Sequence, residues 1–128
     1  MADFVTCRTR GGAMMDITER AIGDVTVLRL AGRLVLEGAE STLRAEIDRL
    51  VALGRLKLVL DLREVTYIDS AGLGLLVAKL ASVRRRGGDV RLAHLTDRST
   101  HLMAITNLAK IFATFTSETD AVLSYAAG

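Results

Sequence analysis

The chain has 128 residues, of which half are hydrophobic and a quarter are charged, so it predicts one globular domain and excludes a disordered chain. The formal charge is only +2, there is no Trp and 4% of the residues are aromatic, which disfavours direct binding to nucleic acid. Charged residues interrupt every apolar stretch, so no membrane-spanning segment is predicted.

The N-terminal segment does not resemble part of a fold. It lacks the apolar centre of a secretory signal, and Gly11 and Gly12 predict a flexible lead-in. We therefore expect a flexible tail over residues 1–14 and a folded domain over residues 15–128. The single cysteine, Cys7, lies in this tail and is typical of a reducing compartment, so a cytoplasmic location is expected.

The first part of the domain predicts two strands, a helix and a third strand. Residues 15–19 and 25–30 carry strand patterns and are expected to pair across a turn. Apolar residues at helical spacing over 43–51 then predict a helix that stops at Gly54. The short, mostly apolar run 57–62 is typical of a central strand that is buried on both faces.

Strands and helices alternate from Ala71 onward. An apolar stripe over 73–83 predicts a second helix that is closed by Gly87 and Gly88. The remaining predictions are a strand at 89–95, a helix at 97–108, a strand at 111–115 and a last helix through Val122 and Tyr125. This last helix is expected to begin with a capping box formed by Ser117 and Asp120.

The resulting order, ββαβαβαβα, predicts an α/β fold. Strands separated by helices favour right-handed crossovers and a mixed, mostly parallel sheet, and the opening hairpin adds an antiparallel edge. We expect a single domain with about four helices.

The segment that joins the predicted central strand to the second helix, YIDSAGLG, is the most informative one for function. Functional sites in α/β folds gather at the carboxyl ends of strands. Ser70 is expected at the N-cap of the helix, where a hydroxyl accepts an amide hydrogen bond. A phosphate on Ser70 would face free helix amides and the positive end of the helix dipole. A plain cap and a phosphorylation switch therefore both remain open at this point.

Leu75 is expected to point away from the apolar stripe of the second helix, on the side of Ala71 and Lys79. This orientation predicts an exposed apolar side chain beside Ser70. An isolated exposed leucine without a role and a docking point for a partner protein both remain open at this point.

The stretch LVLDLREVTYIDSAGLGLL resembles the signature of the STAS domain of bacterial anti-sigma factor antagonists. The likeness extends from about Met15 to Tyr125 and includes GGDVRLAHL and LAKIFATFTSETDAV. It implies a regulatory binding protein that is not an enzyme and needs no cofactor.

In that family, the serine that corresponds to Ser70 is phosphorylated by an anti-sigma factor that is also a serine kinase, and a serine phosphatase removes the phosphate. The resemblance implies that the unphosphorylated form binds the anti-sigma factor and thereby frees a sigma factor, and that the phosphorylated form lets go. We expect a monomer or weak dimer. The expected partner-binding residues are Asp69, Ser70, Ala71, Gly72, Leu73, Gly74, Leu75 and Lys79.

The sequence departs from the family pattern at two places. Many members carry an acidic residue after a Gly-x-Leu, whereas this chain has Val35 there and Glu37 two positions later. Ala71 replaces a second serine that is common in the family, which leaves Ser70 as the only hydroxyl in the turn.

Other site classes fit the sequence poorly. A nucleophile elbow needs glycine two residues before the serine, where this chain has Ile68. His94 and His101 have no acidic or thiol cluster nearby, so neither a metal site nor a catalytic triad is predicted. Gly72 and Gly74 lack the third glycine of a dinucleotide-binding loop. The alternative that stays open is a STAS-type scaffold or ligand-sensing module that Ser70 phosphorylation does not control.

Overall fold

The computed structural model describes residues 8–11, 15–34 and 39–126. The strands in these ranges are β1 (Arg8–Gly11), β2 (Met15–Ile22), β3 (Val25–Leu34), β4 (Lys57–Ile68), β5 (Asp89–Ala93) and β6 (Thr114–Phe115). The helices are α1 (Ala39–Ala52), α2 (Ser70–Arg85), α3 (Asp97–Ile105) and α4 (Glu118–Ala126), and a 3₁₀ turn covers Leu108–Lys110.

The six strands form one mixed sheet, in which the order across the sheet is the order along the chain. The pairs β1–β2 and β2–β3 are antiparallel, and β3 to β6 are parallel to one another. The predicted fold class, an α/β domain whose sheet is mostly parallel with an antiparallel edge, is confirmed.

Strand β1 adds to the predicted element order, because it lies within the segment that the sequence assigns to a tail. Residues 8–11 pair with residues 16–19 of β2. Residues 1–7, which include Cys7, and residues 12–14 lie outside the described residues. The domain boundary at residue 15 therefore stays a prediction.

The main hydrophobic core lies between the sheet and helices α1 and α2. Alternate residues of the central strands point into it, as expected for strands whose side chains alternate between the two faces. The strands contribute Leu28, Leu30, Leu58, Leu60, Leu62, Val90 and Leu92, and the helices contribute Leu43, Ile47, Leu50, Leu76, Leu80 and Val83.

A second, smaller core lies on the opposite face of the sheet, under α4. Its buried members are Val25, Val27, Val59, Ala93 and Ala121. One half of the capping box predicted for this helix is found, since the Ser117 hydroxyl accepts a hydrogen bond from the Asp120 amide at 3.0 Å, whereas the Asp120 carboxylate accepts from the Thr116 hydroxyl at 3.4 Å.

Strand β4 is twice as long as the predicted run 57–62. Its second half pairs with the end of β3, where the register shifts between Arg29 and Ala31 and again between Gly32 and Arg33. Each shift gives β4 one extra residue, which is a β-bulge. The bulges carry the strand up to Ile68, immediately before α2.

Three other predicted elements are shorter in the structure. Strand β5 ends at Ala93, since His94 adopts a left-handed backbone with φ 55°. Helix α3 ends at Ile105, two residues before Asn107 with φ 62°, and β6 comprises only Thr114–Phe115.

Candidate functional site

The candidate site lies where the ends of β3 and β4 meet the start of α2. Leu34 and Ile68 are paired across the two strands, and the Asp69 amide donates to the Leu34 carbonyl oxygen at 3.2 Å. Both strands are parallel here, so the site lies at the carboxyl edge of the sheet, where sequence reasoning places it.

Asp69, not Ser70, is the N-cap of α2, so the capping prediction is wrong by one residue. Asp69 has an extended backbone (φ −96°, ψ −178°), and its Oδ1 accepts a hydrogen bond from the Gly72 amide at 2.8 Å. Its carbonyl oxygen accepts from the Leu73 amide at 3.0 Å. Because the aspartate takes the cap, Ser70 becomes the first residue of the helix.

Ser70 is exposed, and its hydroxyl makes no hydrogen bond to a described residue. It lies in the first turn of a helix, where free amides and the helix dipole favour an anionic group. The carboxylate of Asp69 is its immediate neighbour. The position therefore suits a reversible modification that changes the surface charge without opening the fold.

Gly72 and Gly74 have different roles. A Cβ on Gly72 would lie 2.4 Å from the Leu34 carbonyl oxygen, so only glycine allows α2 to approach the end of β3 this closely. A Cβ on Gly74 would meet nothing within 4 Å, and Gly74 is exposed.

Leu75 does not form the exposed docking point that the sequence analysis predicts. Its side chain is only 3% exposed, and it belongs to the main core. Helix α2 is covered by α1 as well as by the sheet, and the Lys79 ammonium donates to Asp48 of α1 at 2.6 Å. The helix therefore buries a wider face than a single stripe. Leu73 is also buried, with 9% exposed.

The predicted partner-binding residues thus divide by exposure. Ser70 and Gly74 are exposed, whereas Asp69, Ala71 and Lys79 are partly exposed. Gly72, Leu73 and Leu75 are buried, and they support the surface from below. Their role in partner binding stays a prediction.

The structure adds Tyr67 and Arg33 to the surface next to Ser70. Tyr67 is 41% exposed, and the Arg33 guanidinium carbon lies 5.4 Å from the centre of its ring. The two residues are paired across β3 and β4. Sequence reasoning missed them because the bulges of β4 expose Thr66 and Tyr67 together, which breaks the alternation of a regular strand.

Two buried carboxylates, Asp61 and Glu118, and the arginines around them connect α4 to the other face of the sheet. The Arg29 guanidinium binds both Glu118 carboxylate oxygens, at 2.5 and 3.1 Å, and Arg20 lies 3.3 Å from Glu118. Burial, together with a hydrogen bond to Glu118, raises the pKa of Asp61 to about 6. Burial acts to raise the pKa of Glu118 as well, but hydrogen bonds from Arg29 and Asp61 outweigh it and hold that pKa at about 2.

The described residues contain no group of three or more His, Cys, Asp or Glu side chains that would hold a metal ion. In the same part of the chain, no helix has the length and apolarity needed to cross a bilayer. The imidazole of His94 contacts the Arg63 guanidinium, with Nη2 of Arg63 3.2 Å from Nε2 of His94.

The STAS domain family matches residues 16–121, which is most of the chain and includes the whole candidate site. The chain belongs to the STAS domain family. The resemblance predicted from the sequence is therefore confirmed.

Named relatives extend the comparison. An anti-sigma-B factor antagonist of Listeria monocytogenes is 44% identical over 52 residues, which are 41% of this chain and 46% of that protein. The chain thus aligns with about half the length of that relative. A TM1081 homologue of Thermotoga neapolitana is 30% identical over 80% of this chain and 91% of its own length.

Among solved structures, the protein TM1081 superposes with a TM-score of 0.74 at 27% identity, over 81% of this chain and 83% of that chain. The structural similarity therefore extends over most of both chains.

Proposed function

We propose that this STAS domain is an anti-sigma factor antagonist that is controlled by phosphorylation of Ser70. In the unphosphorylated form it binds an anti-sigma factor with serine kinase activity, and the occupied anti-sigma factor releases a sigma factor. The observation that carries the proposal is the exposed hydroxyl of Ser70 at the start of α2, which bonds to no described residue and lies within a matched family domain. Relatives named anti-sigma-B factor antagonists support the class of partner.

The charge at the site explains how one phosphate would end binding. Phosphorylation adds about −1.5 to −2 charges, and here it adds them beside the Asp69 carboxylate. A partner that covers this surface would have to desolvate both anions, which is costly without matching cations. In the free protein, the Gly72 amide stays bound to Asp69, and the positive end of the α2 dipole favours the phosphate, so the fold is retained.

A single phosphate could cause the loss of partner affinity that the switch requires. Inverting the occupancy of two states from 99:1 to 1:99 takes about 5.5 kcal/mol of differential affinity. The protein is then the substrate of a kinase and of a serine phosphatase, with no catalytic role of its own. It acts in the cytoplasm, as a monomer or weak dimer, and without direct contact to nucleic acid.

The test is a pull-down from a lysate of the source cells with Ser70→Ala and Ser70→Glu as baits, followed by mass spectrometry. We expect the Ala bait to retain a kinase-like anti-sigma factor and the Glu bait to lose it. Thr119→Glu is the matched control, because Thr119 is also an exposed hydroxyl in the first turn of a helix, α4, on the other face of the sheet. This control bait is expected to retain the partner.

A second assay measures transfer of labelled phosphate from ATP in the presence of the captured partner. Transfer to the wild-type protein and none to Ser70→Ala is the expected result. If both Ser70 baits hold the same proteins, or if neither holds a kinase, Ser70 does not control binding. A scaffold or ligand-sensing role would then replace the switch.

A further inference from the structure

A cleft of about 430 Å³ opens at the carboxyl ends of β5 and β6, and none of the residues of the proposed switch lines it. Arg63 of β4 forms one wall, and His94 and Phe115 belong to the two strand ends. Ligands of open α/β sheets bind outside the carboxyl ends of the strands, and clefts of roughly 300–1,000 Å³ hold small molecules. Position and size therefore both suit a ligand.

The polar lining of the cleft favours an anion. Among the described residues, the Arg63 guanidinium has no carboxylate partner, and its one hydrogen bond is to His94 Nε2 at 3.2 Å. Two other arginines of the sheet do have carboxylate partners, since Arg29 pairs with Glu118 and Arg91 pairs with Asp89 at 3.1 Å. The described residues that line the cleft include no Asp or Glu. An unneutralised guanidinium is a strong binder of carboxylate and phosphate groups.

Two hydroxyls complete the polar side. Thr100 and Thr114 line the cleft, and neither hydroxyl is hydrogen-bonded to a described residue. Thr96, the N-cap of α3, lies at the rim, so the positive end of this nine-residue helix adds to the potential there.

The backbone of His94 is held in an unusual conformation. A φ of 55° is uncommon for a residue other than glycine and has a cost, which a hydrogen bond from the His94 amide to the Phe115 carbonyl oxygen at 3.1 Å helps to offset. The ring of this residue contacts Arg63. Because a guanidinium can only donate hydrogen bonds, Nε2 of His94 is the acceptor in this contact.

The remaining lining is apolar, with Leu95 and the half-buried ring of Phe115. We propose that the cleft binds a small organic oxyanion, whose carboxylate or phosphoryl group contacts Arg63, Thr100 and Thr114 and whose compact apolar body packs on Leu95 and Phe115. This site does not depend on the Ser70 switch.

The test is an NMR titration of the full-length ¹⁵N-labelled protein at constant ionic strength. The probes are benzoate, phenyl phosphate and the uncharged benzyl alcohol. We expect saturable shifts of the amides of residues 94–100 and 114–116 with at least one anion, and at least about tenfold weaker binding of the alcohol. A preference for benzoate identifies a carboxylate site, and a preference for phenyl phosphate identifies a phosphoryl site.

Variants connect the shifts to the cleft. Arg63→Gln should weaken anion binding at least about tenfold, and Arg63→Lys should retain part of it. Arg33→Gln is the matched control, because Arg33 is also an exposed strand arginine but does not line the cleft. Shifts that do not saturate, equal binding of the alcohol, or the same loss in Arg63→Gln and Arg33→Gln would overturn the proposal. None of these results would change the expected outcome of the pull-down with the Ser70 baits.

Discussion

Asp69 determines where α2 begins, because its carboxylate accepts the Gly72 amide and leaves the adjacent Ser70 hydroxyl free. The sequence identifies the segment but does not show which of the two residues caps the helix. Aspartate and serine are equally good N-caps, and here they are adjacent. The choice depends on the strand pairing before the helix, where the Asp69 amide is bound to Leu34 of β3.

The cap assignment leads to a stability prediction for two neighbouring positions. Asp69→Ala should lower the free energy of unfolding by about 0.5–2 kcal/mol, since a helix amide loses its acceptor. Ser70→Ala should change it by less than about 0.5 kcal/mol, because the hydroxyl is exposed and bonds to no described residue. Urea unfolding of both variants measures the difference. A larger loss in Ser70→Ala would contradict the assignment.

The two glycines of the turn should respond to alanine in opposite directions. Gly72→Ala pushes a Cβ against the Leu34 carbonyl oxygen, and we expect a loss of about 1–3 kcal/mol of unfolding free energy. Gly74→Ala meets open space in an exposed helix and should gain about 0.5–1 kcal/mol. Chemical denaturation gives both values, and shifts of the same sign would refute the argument.

Strand β4 and helix α2 show which element-level features the sequence contains. The run 57–62 has the apolar pattern of a central strand, and it is found as predicted. After Arg63 the two bulges change the spacing of buried residues from two to three. This half of β4 therefore lacks the sequence pattern of a strand. Leu75 is mistaken for a surface residue because the apolar stripe of α2 predicts only one buried face. The stripe does not show that a second helix, α1, covers part of the rest.

The attachment of α4 to the sheet should depend on pH through Asp61 and Glu118. The pKa of Asp61 is raised to about 6, so its contribution to stability is present below about pH 4 and is lost as the pH rises through 6. The pKa of Glu118 is lowered to about 2, so its contribution is present above about pH 4.5 and is lost as the pH falls through 2. Stability from this pair should therefore be greatest near pH 4 to 5.

Asp61→Asn tests the first half of this profile, because asparagine keeps the acceptor for the Arg63 amide and the donor toward Glu118. Between pH 4 and 7 the wild type should lose on the order of 1–3 kcal/mol of unfolding free energy that the variant keeps. Asp48→Asn, at an exposed carboxylate, should follow the wild type. Parallel curves for Asp61→Asn and the wild type would show that Asp61 is ionised throughout.

For the whole molecule, alternating periodicity was enough to predict the α/β class, the strand directions and the helices from α1 to α4. The sequence did not indicate strand β1, because its four residues at the edge carry no apolar alternation. Nor did it locate the cleft beside Arg63, since that arrangement joins the middle of β4 to the ends of β5 and β6, which are distant along the chain.

Two truncations test the predicted boundary at residue 15. A chain that starts at residue 8 keeps β1, whereas one that starts at Met15 leaves the eight-residue strand β2 as an open edge. We expect the shorter chain to fold, with a lower urea midpoint and concentration-dependent self-association, because unpaired strand edges recruit other chains. Light scattering after size-exclusion chromatography measures this. Identical behaviour of both chains would mean that β1 contributes nothing to the domain.

The small core beneath α4 has a consequence for synthesis on the ribosome. Its strand residues Val25, Val27 and Val59 are made long before Ala121, which covers them. A nascent chain that has already formed the sheet and the helices of the main core therefore carries an apolar face that stays open until translation passes α4. Cotranslational folding of this domain finishes late, and a chaperone that shields apolar surface would find its target on this face during that interval.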